Sequence, residues 1–340
     1  MKIGLTYDLK SDWVWKDTDP KDANAELDKP QTVEEISAAL ESSGHEVIRI
    51  GGLKDLMKVI HELDVDLIFN ICEGLAGRNR ESQVPIILEM NGIPFIGADA
   101  LSLGITLDKV IAKKCFVADG IPTPGFFVAD MEDDLKALNH LSFPLIVKTR
   151  YEGTSKGLSD QSRVEDYEAL KRQVDFINQT YHQPALVEEF ISGREFTVAV
   201  IGNKDCEAMP VVQVSIDGNV ELNDEFYTFE RVTCDSLRYV CPAQISTELA
   251  RRIKELAVRA YKSVDCRDFG RVDFRVDKKG DPFVLEINPL PALGSDDIFH
   301  IFPKIMGTTY EEIINRIVTC ACDRYGLKQQ NARGALTSSP

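Results

Sequence analysis

Over its first hundred residues the chain alternates apolar runs of strand length with amphipathic runs of helix length, and this alternation restricts the fold more than any other feature. "KIGLTYD", "HEVIRIG", "VDLIFNI" and "IPFIGA" read as strands, whereas "TVEEISAALESSG", "LKDLMKVIHEL" and "ESQVPIILEM" follow the helical period. A βαβα order of this kind implies a parallel sheet with helices on its faces. The first helix is the best marked. Thr32 and Glu35 make a capping-box pattern, Val33, Ile36 and Leu40 share a face, and Gly44 closes it.

Beyond this region the pattern changes, and 340 residues exceed what a single core usually holds. "LDKVIAKKCFVAD" reads as a helix, followed by "GIPTPGFF", a connection rich in turn residues. "FPLIVKT", "EDYEALKRQVDFINQ" and "PALVEEFI" then suggest a small α+β unit, and from residue 194 long strands dominate: "REFTVAVIG", "EAMPVVQVSI" and "LRYVCPA". After one long helix come "DFGRVDFRVD" and "DPFVLEINP", joined through "KKG" as a hairpin, and a last helix in "TTYEEIINRIVTCACDRYG". The expected domains are 1–104, 105–192 and 193–326, with a polar end, 327–340, too poor in apolar residues to pack.

A formal charge of −16 argues against a sequence-independent grip on nucleic acid, which needs many cations against phosphates. No apolar run approaches the length that crosses a bilayer, and "MKIGLTYDLKSDWVW" lacks the apolar core of a signal peptide, so a cytoplasmic protein is expected, with a homodimer left open. The eight cysteines form no Cys-x-x-Cys and read as buried thiols.

The chemistry concentrates on the hairpin. Asp273 in one strand, and Glu286 and Asn288 in the next, occupy alternate positions that can share a face. Three oxygen donors so placed suit Mg²⁺, which water and substrate phosphates would complete. Arg271 shares the parity of Asp273 and sets a fixed cation where a transferred phosphoryl group develops charge. Lys148 at the end of "FPLIVK", Lys109 after "LD", and the Gly-bearing "EGTSKG" loop are further phosphate-binding candidates. That loop has few apolar anchors and is expected to open readily. There is no P-loop and no Gly-x-Gly-x-x-Gly after the first strand.

Taken together, "LDK", "FPLIVKTRYEGTSKG", "ALVEEFISGREFTVAV", "YVCPA" and "FGRVDFRVD…FVLEINPLP" resemble, in order and spacing, the D-alanine–D-alanine ligase family of the ATP-grasp superfamily. The resemblance implies a three-domain α/β and α+β ATP-grasp fold: an N-terminal parallel-sheet domain, and ATP clamped between the central and C-terminal domains. It implies Lys109 and Lys148 as phosphate lysines, and Thr154 and Ser155 as the paired hydroxyl residues of a flap. Glu188, Glu189 and Ile191 fall at the adenine hinge, Glu195 at the ribose carboxylate, and Arg231 near a nucleotide-contacting lysine. Asp273, Glu286 and Asn288 match the ligands of two Mg²⁺ ions, with Mn²⁺ an acceptable substitute, and Lys148, Ser155 and Arg271 the catalytic groups. The activity implied is ATP-dependent joining of a carboxylate to an amine, both small amino acids or a small peptide, through an acyl phosphate.

The substrate half departs from the family. Glu73, Arg78 and Arg80 stand where the family has a His-Gly motif followed by Gly-Glu-Asp-Gly. Ala292 replaces a glycine whose N–H serves the oxyanion, and Asp297 replaces a serine that helps hold the acceptor's carboxylate. Glu73, Arg271, Ala292 and Asp297 are therefore expected to line the substrate end. Either Glu26 or Asp28 would stand for the family's N-terminal glutamate, and Asp296 with Asp297 could equally cap the helix that begins at "DDIFHIF". A small-molecule phosphotransferase is the competing activity, and a nucleotide-binding regulator without catalysis the third reading. Retention of Lys148, Arg271 and the metal set argues against the third.

Overall fold

The computed structural model describes residues 1–328 apart from 131–134, 136–139 and 235, so the polar end lies outside the described residues from 329 onward. Strands β1 (Lys2–Tyr7), β2 (Glu46–Gly51), β3 (Leu67–Ile71) and β4 (Phe95–Ile96) pair in parallel in the order β2-β1-β3-β4. Helices α1 (Pro30–Ser42), α2 (Leu53–Val59) and α3 (Gln83–Met90) lie between successive strands. The expected cap of α1 is displaced. The helix starts at Pro30 with Lys29 before it, and Thr32 is buried inside the first turn. Proline's fixed φ and missing N–H suit the first helical position, so it overrides the capping-box pattern.

Helices α4 (Ala100–Leu107) and α5 (Lys109–Ala118) lead out of this sheet. Asp108 accepts from the N–H groups of Val110 and Ile111 and so fixes the start of α5. Strands β5 (Phe126–Ala129), β6 (Leu145–Thr149), β7 (Arg163–Val164) and β8 (Ala185–Glu189) form an antiparallel sheet, ordered β5-β8-β6-β7. Helix α6 (Tyr167–Tyr181) covers it, setting Leu170, Val174 and Ile177 against Val147 and Val187.

The third sheet is antiparallel and begins at β9 (Gly193–Ile201). Gly193 has φ 153°, and a Cβ there would meet the carbonyl oxygen of Val276 at 2.1 Å, so the residue must be glycine for β9 to lie against its neighbour. The expected single strand over "EAMPVVQVSI" is broken into β10 (Glu207–Ala208) and β11 (Val212–Ile216), because Pro210 between them has no N–H for a ladder. Helix α7 (Phe229–Thr233), β12 (Leu237–Val240) and helix α8 (Thr247–Ser263) precede the hairpin of β13 (Phe269–Asp277) and β14 (Pro282–Asn288). The strand order is β12-β11-β9-β13-β14, with β10 on β9. Helix α9 (Phe302–Met306) and helix α10 (Tyr310–Tyr325) end the described chain, and α10 packs on α1.

The first and third sheets share one core, in which Phe69, Phe269, Phe299 and Phe302 follow one another at ring-centroid distances of 6.4, 6.3 and 5.9 Å. Asp268, fully buried, strengthens the same junction by accepting from the N–H of Gly97 at 2.9 Å and pairing with Arg324 at 2.6 Å. No described helix is long and apolar enough to cross a membrane. Truncating Phe269 removes the ring that touches both sheets. Phe269→Ala is expected to lower stability by about 3–5 kcal/mol, and a shift in the urea midpoint worth less than about 1 kcal/mol would show that the sheets do not depend on this junction.

Candidate active site

A cavity of about 1000 Å³ lies between the second and third sheets, with residues 24–32 of the N-terminal segment closing one side. Lys109, Lys148, Thr154, Ser155, Glu188, Glu189, Ile191, Glu195, Arg271, Asp273, Glu286, Asn288, Glu73, Ala292 and Asp297 all line it. Arg231 does not. Its guanidinium is held by Asp160 at 2.6 Å and by the carbonyl of Phe226, which draws it away from the cavity wall. Its neighbours Phe229, Val232 and Thr233 in and around α7 do line the cavity.

The hairpin register places the acidic set. Arg271 lies opposite Asn288, and Asp273 opposite Glu286. Asp273 is the hub of this face: it accepts from Thr197 Oγ1 at 2.6 Å, from Arg271 at 3.1 and 3.0 Å, and from Asn288 Nδ2 at 3.0 Å. The last bond orients the amide so that Asn288 Oδ1 remains to accept a ligand. Burial tends to protonate Glu286, but Lys109, Lys148 and Arg271 outweigh it and hold its carboxyl below the ordinary range. Among the described residues no three His, Cys, Asp or Glu gather into a metal cluster. A set of two carboxylates and one amide oxygen nonetheless fits Mg²⁺, which keeps several positions for water and phosphate.

Lys148 is anchored from beneath. Glu188, on the neighbouring strand β8, lies 2.8 Å from Lys148 Nζ and 2.6 Å from Lys113 Nζ. Lys113 comes from α5, is 1% exposed and also donates to Thr123 Oγ1 at 2.7 Å. Burial would raise the Glu188 carboxyl, yet the two lysines bring it down to about 2. Lys109, at the first turn of α5, donates to the carbonyl of Glu152 and lies 3.5 Å from Glu286. Glu195 accepts from Arg275 Nη1 at 3.0 Å. Tyr227 Oη donates to Tyr239 Oη at 2.6 Å on the opposite wall. The tyrosine pair carries no sequence signal beyond the position of Tyr239 in "YVCPA".

The loop over residues 151–158 covers the cavity, and both Thr154 (φ 47°) and Ser155 (φ 55°) are left-handed. Side chains rarely adopt that conformation, and it persists only when surrounding bonds over-determine it. Those bonds come from the N-terminal segment: Glu26 accepts from the N–H of Gly153, and Asp22 from that of Gly157 at 2.8 Å and from Tyr181 Oη. Lys156 pairs with Glu152 and with Glu26 at 3.2 Å, and Arg80 reaches Glu26 at 2.8 Å. The loop has few apolar anchors, Leu158 packing against Ile146, Phe190 and Phe226, and polar anchors add to it. They escape sequence reading because Glu26 and Gly153 are 127 positions apart.

Asp297 both caps and faces the cavity. It accepts from the N–H of Ile298 at 2.6 Å, at the start of the 3₁₀ turn Ile298–His300, and lies 3.7 Å from Arg271 Nη1. Burial raises its carboxyl, and Arg271 counteracts only part of that.

Glu188 yields a test. Removing the charge of a buried ion pair leaves its partners uncompensated, so Glu188→Gln is expected to lose about 3–5 kcal/mol. A folded-state value of about 2 against the ordinary 4.5 means that the contribution of Glu188 is complete above pH 4.5 and fades as pH falls toward 2. Denaturation followed from pH 6 down should therefore show a wild-type loss that the variant lacks; parallel curves for the two would refute the assignment.

Comparison with known proteins covers the same ground. The family described as "D-ala D-ala ligase C-terminus" matches residues 116–319. An uncharacterized protein, y4sG, of Sinorhizobium fredii is 35% identical over 300 residues, covering 85% of this chain and 87% of its own. The D-alanine–D-alanine ligase of Pelotomaculum thermopropionicum is 30% identical over 311 residues, covering 88% of this chain and 94% of its own. The crystal structure of the D-alanine–D-alanine ligase from Bacillus anthracis superposes with a TM-score of 0.74 at 25% identity, spanning 96% of this chain and 99% of that one. Because the family match covers more than half of the chain and these relatives span most of it, the chain belongs to the D-alanine–D-alanine ligase family of ATP-grasp carboxylate–amine ligases.

Proposed function

We infer that this cavity binds ATP with Mg²⁺ at the face of β13 and β14, and joins two small amino-acid-like substrates through an acyl phosphate. The observation that carries the reading is the convergence of Lys109, Lys148 and Arg271 on the face that bears Asp273, Glu286 and Asn288. A carboxylate cannot expel oxide when an amine attacks it, so one of its oxygens must first become part of a leaving group. That oxygen attacks the γ-phosphorus and ADP departs. The amine nitrogen then attacks the acyl carbon, phosphate leaves with the C–O bond, and the nitrogen loses a proton to give the amide.

The residues act mainly by position and charge. Asp273, Glu286 and Asn288 would hold the metal, which supplies positive charge to the phosphate oxygens. Lys148, held by Glu188, and Lys109, at the start of α5 and bonded to the carbonyl of Glu152 in the loop, would meet the phosphates. Thr154 and Ser155 present their hydroxyls and N–H groups from that loop. Glu189 and Ile191 border the base, and Glu195 the ribose. Arg271 and the N–H of Ala292 face the developing oxyanion, and that N–H takes part in no hydrogen bond among the described residues. ATP as co-substrate and eight free cysteines support a cytoplasmic setting.

Asp297 shapes the acceptor side. A carboxylate there repels an acceptor held by its own carboxylate and favours one presenting an amine or amide.

Two substitutions test the assignment. Glu286→Gln keeps volume and removes charge, so turnover should fall by more than about tenfold, a barrier increase above about 1.4 kcal/mol, while ADP still binds by calorimetry. A smaller loss would remove Glu286 from the metal set. Asp297→Ser should improve the use of a free amino-acid acceptor, and the wild type should make D-Ala–D-Ala poorly. Coupled ADP release with mass detection of the product reads both outcomes: efficient wild-type D-Ala–D-Ala synthesis would reduce Asp297 to its capping role, and a stable phosphorylated product from one substrate alone would mark a phosphotransferase.

A further inference from the structure

The face of β13 that carries Arg271 and Asp273 continues to Arg275, two positions further on, which lies opposite Glu195 of β9. Arg275 borders the cavity and is only 3% exposed. Both terminal nitrogens of its guanidinium are fully engaged. Nη1 donates to Glu195 Oε2 at 3.0 Å and to the carbonyl of Glu225 at 2.9 Å, and Nη2 donates to the carbonyls of Gly193 at 3.1 Å and Asn223 at 2.7 Å.

These bonds join two walls of the cavity. One is Glu195, whose Oε2 is fixed by Arg275 while its Oε1 accepts no hydrogen bond among the described residues and is left for a ligand. A glutamate without such a partner would have to order its side chain on binding, at a cost in affinity. Burial raises the Glu195 carboxyl, and Arg275, ahead of Lys148, counteracts part of that. The other wall is the loop between β11 and α7. Arg275 holds it by the backbone at Asn223 and Glu225, and the next two residues, Phe226 and Tyr227, line the cavity. Phe226 packs on Phe190 at a ring-centroid distance of 5.7 Å, and the Arg275 guanidinium lies 5.0 Å from the same Phe190 ring. Four acceptors around a planar fork suit arginine, whereas a lysine ammonium presents its donors from a single point.

We propose that Arg275 is a positioning residue for the sugar of the nucleotide: one guanidinium aims Glu195 at the ribose hydroxyls and holds the Asn223–Glu225 backbone beside it, so that selection for those hydroxyls depends on a side chain that does not touch them. The inference rests on the reading of the cavity as an ATP site and names how its ribose is selected. Filling the ribose position also steadies the loop, because the carboxylate and the loop share the guanidinium.

The test is calorimetric titration of the whole protein, with Mg²⁺, by ADP, 2′-deoxyADP and 3′-deoxyADP. The wild type should prefer ADP over at least one deoxy form by about tenfold or more, as expected for a hydrogen bond to a charged group. Arg275→Lys and Glu195→Gln should each reduce that preference to within about threefold by weakening ADP alone, and the double variant should reduce it no further. A wild type that binds all three alike, an Arg275→Lys protein that keeps the preference, or one that weakens all three equally, as a purely structural arginine would, overturns the proposal. Hydrogen exchange on the wild type decides the matter even where Arg275→Lys does not fold: residues 219–228 should be slowed more by ADP than by the disfavoured deoxy form, and equal slowing refutes the link. Nucleotide binding without ribose preference leaves the ATP site standing and this inference fallen, whereas no binding of any of the three removes the ATP site itself.

Discussion

The arrangement of the site depends on Glu188. Its carboxylate stands between Lys113 of α5 and Lys148 of β6, and all three are buried or nearly so. A lysine at a strand end would otherwise sample many rotamers, and ordering it on ATP binding would cost affinity. Here the ordering is done during folding. The same carboxylate ties α5 to the second sheet, and α5 carries Lys109 toward Glu286. Two cavity-lining cations, from different elements, are thus placed by a single buried acid.

The third sheet contributes the complementary half by register alone. The pairing of Asp273 with Glu286 and of Arg271 with Asn288 follows from the hairpin, and a slip of one residue would turn every one of these side chains to the opposite face. Slippage is opposed by Val272, Phe274, Val284 and Ile287, which are buried against α8. The acidic face is therefore held by the apolar one, and the close fit at Gly193 fixes β9 beside it.

Legibility in the sequence follows the range of the interactions. Strand and helix periodicity is local, and the parallel first sheet, the hairpin and most helices can be read from it. The carboxylates of β13 and β14 are legible for the same reason, since alternate positions on paired strands must share a face. Local rules fail where a stronger neighbour intervenes: Pro30 moves the start of α1, and Pro210 divides a strand. They also fail across distance. Nothing near Glu26 announces that it will hold a loop residue 127 positions away, or that Arg80 will share it.

The cavity also explains how a protein of formal charge −16 can hold a nucleotide triphosphate. Net charge acts at long range and is screened within about 10 Å at 0.1 M salt, whereas binding is decided by the groups that line the site. Lys109, Lys148 and Arg271 line one part of the cavity. Asp28, Glu73 and Glu81 line another. The field between these ends orients whatever enters: phosphoryl oxygens are drawn to the lysines and amines to the acids. A molecule with a carboxylate at one end and an amine at the other would lie along that field with its carboxylate next to the γ-phosphate. Under the proposed function, this charge distribution would select the attacking group before any specific hydrogen bond is formed, the positional contribution that amide ligation most requires.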